Sequence, residues 1–393
     1  MMTEYFAGNH VQLLYNGAGY FPALLAAING ANHSVHLEAY IFEPDRTGLD
    51  VANALMDAAR RGVSVNLVID GFGARSFPAD LLQDMLGTGV RVLFFRPELS
   101  RYSLHRHRLR RLHRKLALID ARIGFVGGIN IIDDYNTPNH IPPRYDYAVQ
   151  VEGPVLGMLY AAVRHMWWQT CWSQFRYHWL ALPRAPLTVA AHGSMAAAFV
   201  VRDNVRNRKA IEQEYLAAID AAREEIVIAC AYFLPGMQFR QRLIAAAARG
   251  VRVVLLLQGR VEYWLLHYAS RTLYARFLEA GIEIFEFNKS FMHAKVAVID
   301  GEWATVGSSN IDPFSLLLAR EANLMVRNNR FALELRADLE RAMRDESHVV
   351  QLSAVRQRSV LSKFMAWFSY ALVRVMMGIA GYGKREYKSA ADE

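Results

Sequence analysis

Two hydrophobic periods alternate along the chain, and they do so in the same order twice. Short apolar runs predict strands at 11–15, 35–42, 63–69 and 90–95, and again at 198–201, 226–233, 251–257 and 282–287. Between them, helical periodicity predicts helices at 20–31, 49–61 and 78–86 in the first half and at 209–222, 238–249 and 265–280 in the second. Most of these helices close at a glycine, as a helix C-terminus does. Matching fragments support a repeat: Ala59-Arg60-Arg61-Gly62-Val63 with Ala248-Arg249-Gly250-Val251, and Gly89-Val90-Arg91-Val92 with Gly281-Ile282-Glu283-Ile284. The fold expected is α/β: two sandwich domains, each a mixed sheet flanked by helices, related by a pseudo-twofold axis, with an amphipathic helix at the carboxy end. The boundaries expected are 1–182 for the first domain, 183–195 for the join, 196–350 for the second domain and 351–393 for a basic amphipathic tail.

A constellation of polar residues repeats in the same frame. His113-Arg114-Lys115, four residues, Asp120, six residues and Gly127-Gly128-Ile129-Asn130 return as His293-Ala294-Lys295, Asp300 and Gly307-Ser308-Ser309-Asn310 with identical spacing. On a strand, residues i and i+2 share a face, so each His points the same way as its Lys. Asp120 and Asp300 stand where that strand turns, and an Asp bonding its own turn accounts for them without chemistry. The Gly-Gly or Gly-Ser bend then brings Asn130 or Asn310 beside the pair. Two such sets facing each other suit a phosphodiester, with cations and amides on its oxygens and an imidazole on either side of phosphorus. A working imidazole needs a carboxylate to orient it. Asp146, 33 residues after His113, and Glu321, 28 residues after His293, are the candidates.

The paired motifs resemble the H-x-K-x4-D-x6-G-[GS]-x-N signature of the phospholipase D superfamily. Over nearly all of residues 10–385 the chain is similar to bacterial cardiolipin synthases of the B type, which lack amino-terminal membrane helices. The resemblance implies a phosphatidyltransferase that joins two phosphatidylglycerol molecules into cardiolipin and glycerol, in two steps through a phosphohistidine and with no metal or organic cofactor. The residues leave open which histidine attacks; the resemblance favours His113, with His293 as acid and base. It implies His113, Lys115, Asp120, His293, Lys295 and Asp300 as the catalytic signature, with Asn130, Asn310, Asp146 and Glu321 in support. Phosphatidylethanolamine is an alternative donor. The site expected is the cytoplasmic face of the cell membrane, and both motifs lie in one chain, so no oligomer is required. A hydrolase or another headgroup-exchange enzyme would use the same site with a different acceptor, and a nuclease the same chemistry.

Composition narrows this only partly. A formal charge of +8 suits an anionic partner, and 53% hydrophobic against 21% charged residues suits contact with a membrane more than with nucleic acid. Two distant cysteines, Cys171 and Cys230, with no C-x-x-C pattern, suggest neither a disulfide framework nor a zinc site. Neither a signal peptide nor an apolar run long enough to span a bilayer is expected.

Three features are peculiar to one half or one end. The first half has a longer lead into its motif, carrying Arg101, Arg106, Arg108, Arg110 and Arg111. Of these, Arg108, Arg110 and Arg111 are candidate contacts for an anionic headgroup, with Gly128 and Ser308 at the bends, and the alternative is a solvated basic face. His105 and His107 in that lead lack a third metal ligand. The aromatic cluster Trp167, Trp168, Trp172, Tyr177 and Trp179 reads as core or as a bilayer rim, while Glu38, Tyr40 and Tyr232-Phe233-Leu234-Pro235 fall at equivalent cleft positions. At the carboxy end, Lys363 and Arg374 share one side of a helix, and Phe364, Met365, Phe368, Leu372, Val375, Met376 and Ile379 cover the other. That pattern fits an interfacial helix or one docked on the protein.

Overall fold

The structure, a computed structural model, describes residues 3–97, 110–137, 140–181, 190–203, 207–261, 264–313, 315, 318–357 and 359–379. Arg101, His105, Arg106, His107 and Arg108, and most of the expected join, lie outside them. The first half runs β1 (Phe6–Tyr15), α1 (Asn16–Asn29), β2 (Ser34–Ala39), α2 (Arg46–Arg60), β3 (Ser64–Asp70), α3 (Ala79–Gly87), β4 (Arg91–Phe95), β5 (Leu116–Ile119), β6 (Ile123–Gly127), β7 (Arg144–Tyr145), β8 (Tyr147–Glu152) and α4 (Leu156–Ser173). The second runs β9 (Met195–Arg202), α5 (Ala210–Ala221), β10 (Glu225–Cys230), α6 (Met237–Ala248), β11 (Arg252–Gln258), α7 (Trp264–Arg271), α8 (Tyr274–Glu279), β12 (Glu283–Phe287), β13 (Phe291–Met292), β14 (Lys295–Ile299), β15 (Trp303–Gly307), β16 (Glu321–Arg327) and α9 (Asn329–Glu346). It closes with β17 (Ser347–Val349), α10 (Leu352–Arg356) and α11 (Val360–Ile379).

The repeat is literal in the sheet. The first half orders its strands β1-β8-β6-β5-β2-β3-β4, and the second orders the corresponding strands β9-β16-β15-β14-β10-β11-β12. In each, three strands are parallel and the rest antiparallel. β1 and β9 pair antiparallel at Phe6–Ala197 and Asn9–Met195, so 15 strands form one continuous sheet about a pseudo-twofold centre. Each half keeps an outer core under its own helices, as with Leu24, Leu55 and Leu67 or Ile219, Leu243 and Leu255. A third core is shared, bringing Leu13, Leu116 and Val149 together with Val296, Leu324 and Leu335 of α9.

Three expectations change. β1 begins five residues earlier than the predicted strand, because its first residues pair across the join, and it passes straight into α1 at Asn16. The single helix expected over 265–280 is two: the hydroxyls of Ser270 and Thr272 donate to the carbonyls of His267 and Ala269 at 2.9 and 2.7 Å, closing α7 before α8 starts. The aromatic cluster divides. Trp167 is buried, stacks on Trp179 and donates its indole N–H to the Trp179 carbonyl at 2.8 Å, while Trp168, Trp172 and Tyr177 remain about half exposed.

The carboxy-terminal helix α11 is docked on the second half. It packs along α7 through a face of Ala366, Ser369 and Val373, not through its large apolar residues. Phe364, Trp367, Phe368 and Val375 stay 55, 61, 44 and 56% exposed. Among the described residues no helix is long and apolar enough to cross a membrane.

Candidate active site

The two motifs meet where the halves meet. β13, just before His293, pairs parallel with β7 of the first half, and the His293 N–H donates to the Tyr145 carbonyl at 2.8 Å. The mirror contact bridges Leu112 to Arg320, with the His113 N–H donating to the Arg320 carbonyl at 2.9 Å. Each histidine is therefore pinned by backbone of the opposite half.

The carboxylates are exchanged in the same way. His113 Nδ1 lies 3.0–3.1 Å from the oxygens of Glu321, and His293 Nδ1 lies 2.7 Å from Asp146. Counting along the chain puts each carboxylate after its own motif, but each serves the histidine of the other. With Nδ1 held, Nε2 is the nitrogen left to react. The Asp146 backbone is set by Asn16, which exchanges two hydrogen bonds with it at 2.8 and 3.0 Å and sits at φ +53°. Glu321 is set by Ser308, whose hydroxyl donates to it at 2.6 Å. At the corresponding place Gly128 is required, because a Cβ there would stand 2.4 Å from an Asp146 oxygen. Gly128 and Ser308 thus support the carboxylates.

Lys115 and Lys295 are buried, and each ammonium donates to the carbonyl of its own motif's histidine. Burial, with Lys295 adding to it and Glu321 opposing, brings the Lys115 ammonium down to about 7. Burial also lowers His113, against the pull of Glu321, and lowers His293 well below its ordinary value, where both lysines add to the effect. Asp146 is pushed up to about 7 by burial, against the pull of Lys295. Burial is the cause common to all four; for Lys115 and the two histidines the lysine charges add to it, and a bound anion would offset that part.

Asp120 and Asp300 belong elsewhere. Asp120 accepts the N–H groups of Asn32, His33 and Ser34 at 2.7–2.8 Å, and Asp300 those of Arg223, Glu224 and Glu225 at 2.9 Å. Each ties its turn to the loop entering the neighbouring strand, rather than bonding within the turn. Five residues of extended chain put them roughly 15 Å from their lysines. Asn130 accepts the Ile41 N–H at 3.2 Å, and Asn310 lies 3.8 Å from the Cys230 thiol.

Other expected contacts are redirected. Glu38 is buried and bound by the Arg114 guanidinium at 2.6–2.9 Å, so both its oxygens are engaged. The same register in the second half holds Ala229 and Ala294. Tyr40 turns its ring edgewise to His113, with 4.8 Å between centroids. Arg111 faces Asp70 at 3.8 Å and the Phe72 ring, and the Arg110 carbonyl is 3.5 Å from Arg96. Arg320, which sequence reasoning missed, donates to Gln169 at 2.7 Å and sits over Phe95. No spacing rule points to it, since only folding sets it beside His113. Among the described residues no group of His, Cys, Asp and Glu could hold a metal.

Chemically, two imidazoles each held at Nδ1 by a carboxylate and two buried lysine ammonium groups can take a phosphate ester, attack it from one side and manage a proton on the other. Comparison with known proteins agrees with that class of site. The family described as "Cardiolipin synthase, PLD-like domain" matches residues 24–140 and 215–343, which hold both histidines. Cardiolipin synthase B of Escherichia coli K12 is 32% identical over 391 residues, covering 97% of this chain and 92% of that protein. Cardiolipin synthase B of Salmonella typhimurium is 34% identical, covering 95% and 90%. Among solved structures, phosphatidylserine synthase of Haemophilus influenzae superposes with a TM-score of 0.70 at 13% identity, covering 97% of this chain and 96% of that one, a likeness of fold. With two family segments in the expected halves and full-length relatives above 30% identity, this chain belongs to the phospholipase D-like cardiolipin synthase family.

Proposed function

We propose that the chain transfers a phosphatidyl group between two phosphatidylglycerol molecules, giving cardiolipin and glycerol. In the first step the His113 Nε2 lone pair forms a bond to phosphorus while the bond to the glycerol oxygen breaks, and His293 gives its Nε2 proton to that oxygen. In the second, a headgroup hydroxyl of another phosphatidylglycerol bonds to phosphorus, the P–N bond breaks, and the hydroxyl proton returns to His293. Lys115 and Lys295 hold the phosphate oxygens as point charges. Bound anion offsets their field on His293 and so favours the protonated imidazole that the first step uses. The observation carrying this reading is the crossed pair of histidines, each held at Nδ1 by a carboxylate of the other motif and with no hydrogen bond at Nε2 among the described residues.

The exposed apolar face of α11 supports a peripheral position on the cytoplasmic side of the membrane, where anionic phosphatidylglycerol meets a chain of charge +8. The test is purified protein in detergent with phosphatidylglycerol alone, followed by lipid mass spectrometry, with His113→Ala and His293→Ala alongside. Cardiolipin and glycerol from wild type only is the expected result. Phosphatidic acid without cardiolipin would make the protein a hydrolase. No product, even with phosphatidylethanolamine added, would turn attention to nucleic-acid phosphodiesters.

A further inference from the structure

The outer side of α4 and the turn after it carry aromatic rings that the reaction scheme does not use. Trp168, Trp172, Phe175 and Tyr177 are 49, 48, 77 and 43% exposed. Their rings form a chain, with centroids 5.7 Å apart from Trp168 to Trp172, 4.8 Å from Trp172 to Tyr177 and 6.1 Å from Tyr177 to Phe175. A contiguous run of exposed rings marks a surface that meets something other than water.

The position of the patch ties it to the first motif. On the inner side of the same turns, Met166 and Trp167 share a core with Phe95 and with Leu112, the residue before His113. Gln169 accepts from the Arg320 guanidinium at 2.7 Å, and the Arg320 carbonyl holds the His113 N–H. Just past the helix, Gln174 donates to the Phe94 carbonyl near the end of β4 at 2.6 Å. The rings therefore stand at the C-terminal ends of β2, β3 and β4, where Tyr40 meets His113 and Asp70 holds the Leu112 N–H.

The second half shows that the fold does not require them. After β16 the corresponding helix, α9, has a single aromatic residue, Phe331, and that one is buried. Its outer positions are charged and paired, Arg341 with Asp338, Arg336 with Glu340 and Arg344 with Asp345, at 2.5–2.9 Å. Around α4 the composition is the reverse. No Asp or Glu occurs between Glu152 and Asp203, while Arg164 and Arg176 lie over the rings of Tyr160 and Trp179 that adjoin the patch. Tryptophan and tyrosine settle at the headgroup level of a bilayer, and arginines with no neighbouring carboxylate suit its anionic phosphates.

We infer that this face of α4 is a second membrane contact, which seats the first motif's side of the cleft on an anionic leaflet while α11 serves the second half. The inference rests on the phosphatidyl-transfer reading above for the identity of the surface, since both substrates of that reaction are bilayer lipids.

The test places an environment-sensitive dye on full-length protein through Phe175→Cys, with Arg60→Cys, just before β3 at the other end of the strands, as the control. Cys171 and Cys230 are buried and leave the introduced thiol as the reactive one. With phosphatidylglycerol vesicles, the dye at 175 should brighten about threefold or more and the dye at 60 should not change. Trp168→Ser, Trp172→Ser and Phe175→Ser combined should lower the ratio of cardiolipin formed on vesicles to that formed in detergent about tenfold, at equal melting temperature. An unchanged dye at 175 on protein that sediments with the vesicles overturns the contact. So does brightening without vesicles that grows with protein concentration, which would give the patch to a second copy of the chain. Absence of cardiolipin from wild type while the dye at 175 still brightens overturns the transfer reading and leaves the membrane contact standing.

Discussion

Exchange of carboxylates between the halves makes a prediction that proximity along the chain would reverse. Asp146→Asn and Glu321→Gln each keep size and remove one charge. Both carboxylates are almost wholly buried, 5 and 0% exposed, and stand 2.7 and 3.0–3.1 Å from an imidazole nitrogen. An amide turned to Nδ1 can present N–H where the carboxylate accepted, which fixes the opposite tautomer, removes the reactive lone pair from Nε2 and disfavours the imidazolium that donates a proton. In serine hydrolases the comparable Asp→Asn change costs about 10⁴-fold. Losses of about 10³- to 10⁴-fold in kcat are expected here, with KM little changed.

The assay compares these variants with His113→Ala and His293→Ala on a donor whose leaving group is p-nitrophenolate. Such a group departs without an acid, so a first turnover of yellow product needs only the attacking histidine. The crossed geometry requires Asp146→Asn to behave as His293→Ala does, and Glu321→Gln as His113→Ala does. With His113 as nucleophile, the burst survives in the first pair and vanishes in the second. Asp146→Asn behaving as His113→Ala would refute the crossing, whichever histidine attacks.

Four further outcomes follow from particular contacts. The Lys115 ammonium is held near 7 in the free site and an anion raises it, so binding takes up a proton; the Kd for sulfate by calorimetry should weaken by up to about tenfold per pH unit above 7, and a flat profile from pH 6.5 to 8.5 would sink the argument. Asp120→Ala and Asp300→Ala each remove the acceptor of three backbone N–H groups, two of them exposed to water, and should cost about 1–2 kcal/mol in denaturant unfolding, while the folded fraction keeps its kcat. Gly128→Ala must displace Asp146 and should lower kcat about 100-fold at unchanged circular dichroism; full activity would contradict the geometry. Replacing exposed Phe364, Trp367 and Phe368 by Ser should reduce sedimentation with phosphatidylglycerol vesicles at least tenfold at equal melting temperature, and unchanged sedimentation would remove α11 from membrane binding.

Local pattern made the two α/β halves legible because each strand and helix there is decided by its own period and its terminal glycine. The His, Lys and Asn sets were legible for a related reason, since an exact repeat fixes their register. What failed to show was whatever depends on the partner half. The first residues of β1 carry a strand only because β9 is there to pair with them. α4 has apolar and aromatic residues on every side, so no single face announces it, and Trp167 becomes core while Trp168 stays outside. Asn16 looks like an ordinary polar residue between two elements, yet its positive φ and its two bonds to Asp146 place the carboxylate. The assignment of Asp146 and Glu321 to the right histidines lies in this class too. Their spacing from each motif is readable, but which imidazole each meets is a property of the assembled interface.

That dependence explains why the join is so heavily built. If each half oriented its own histidine, a loose contact would serve, and the halves could drift while each imidazole stayed correct. With orientation exchanged, a shift between halves spoils both imidazoles together. The residues around the crossing are accordingly tied from both sides. Tyr145, whose carbonyl holds the His293 N–H, and Tyr147 flank Asp146, and both hydroxyls donate to Asp338 of α9 at 2.9 and 2.6 Å. Tyr145 also stacks on Phe287 of the second half at 5.0 Å. On the other side Arg320 bonds Gln169 of α4 while its carbonyl holds the His113 N–H. A sheet continuous through β1 and β9 adds stiffness across the same boundary. In the proposed scheme a phosphodiester and then a hydroxyl must react at one phosphorus in turn, and a histidine misoriented in either step would stall the transfer. Holding both histidines by a single rigid interface makes their alignment one event instead of two.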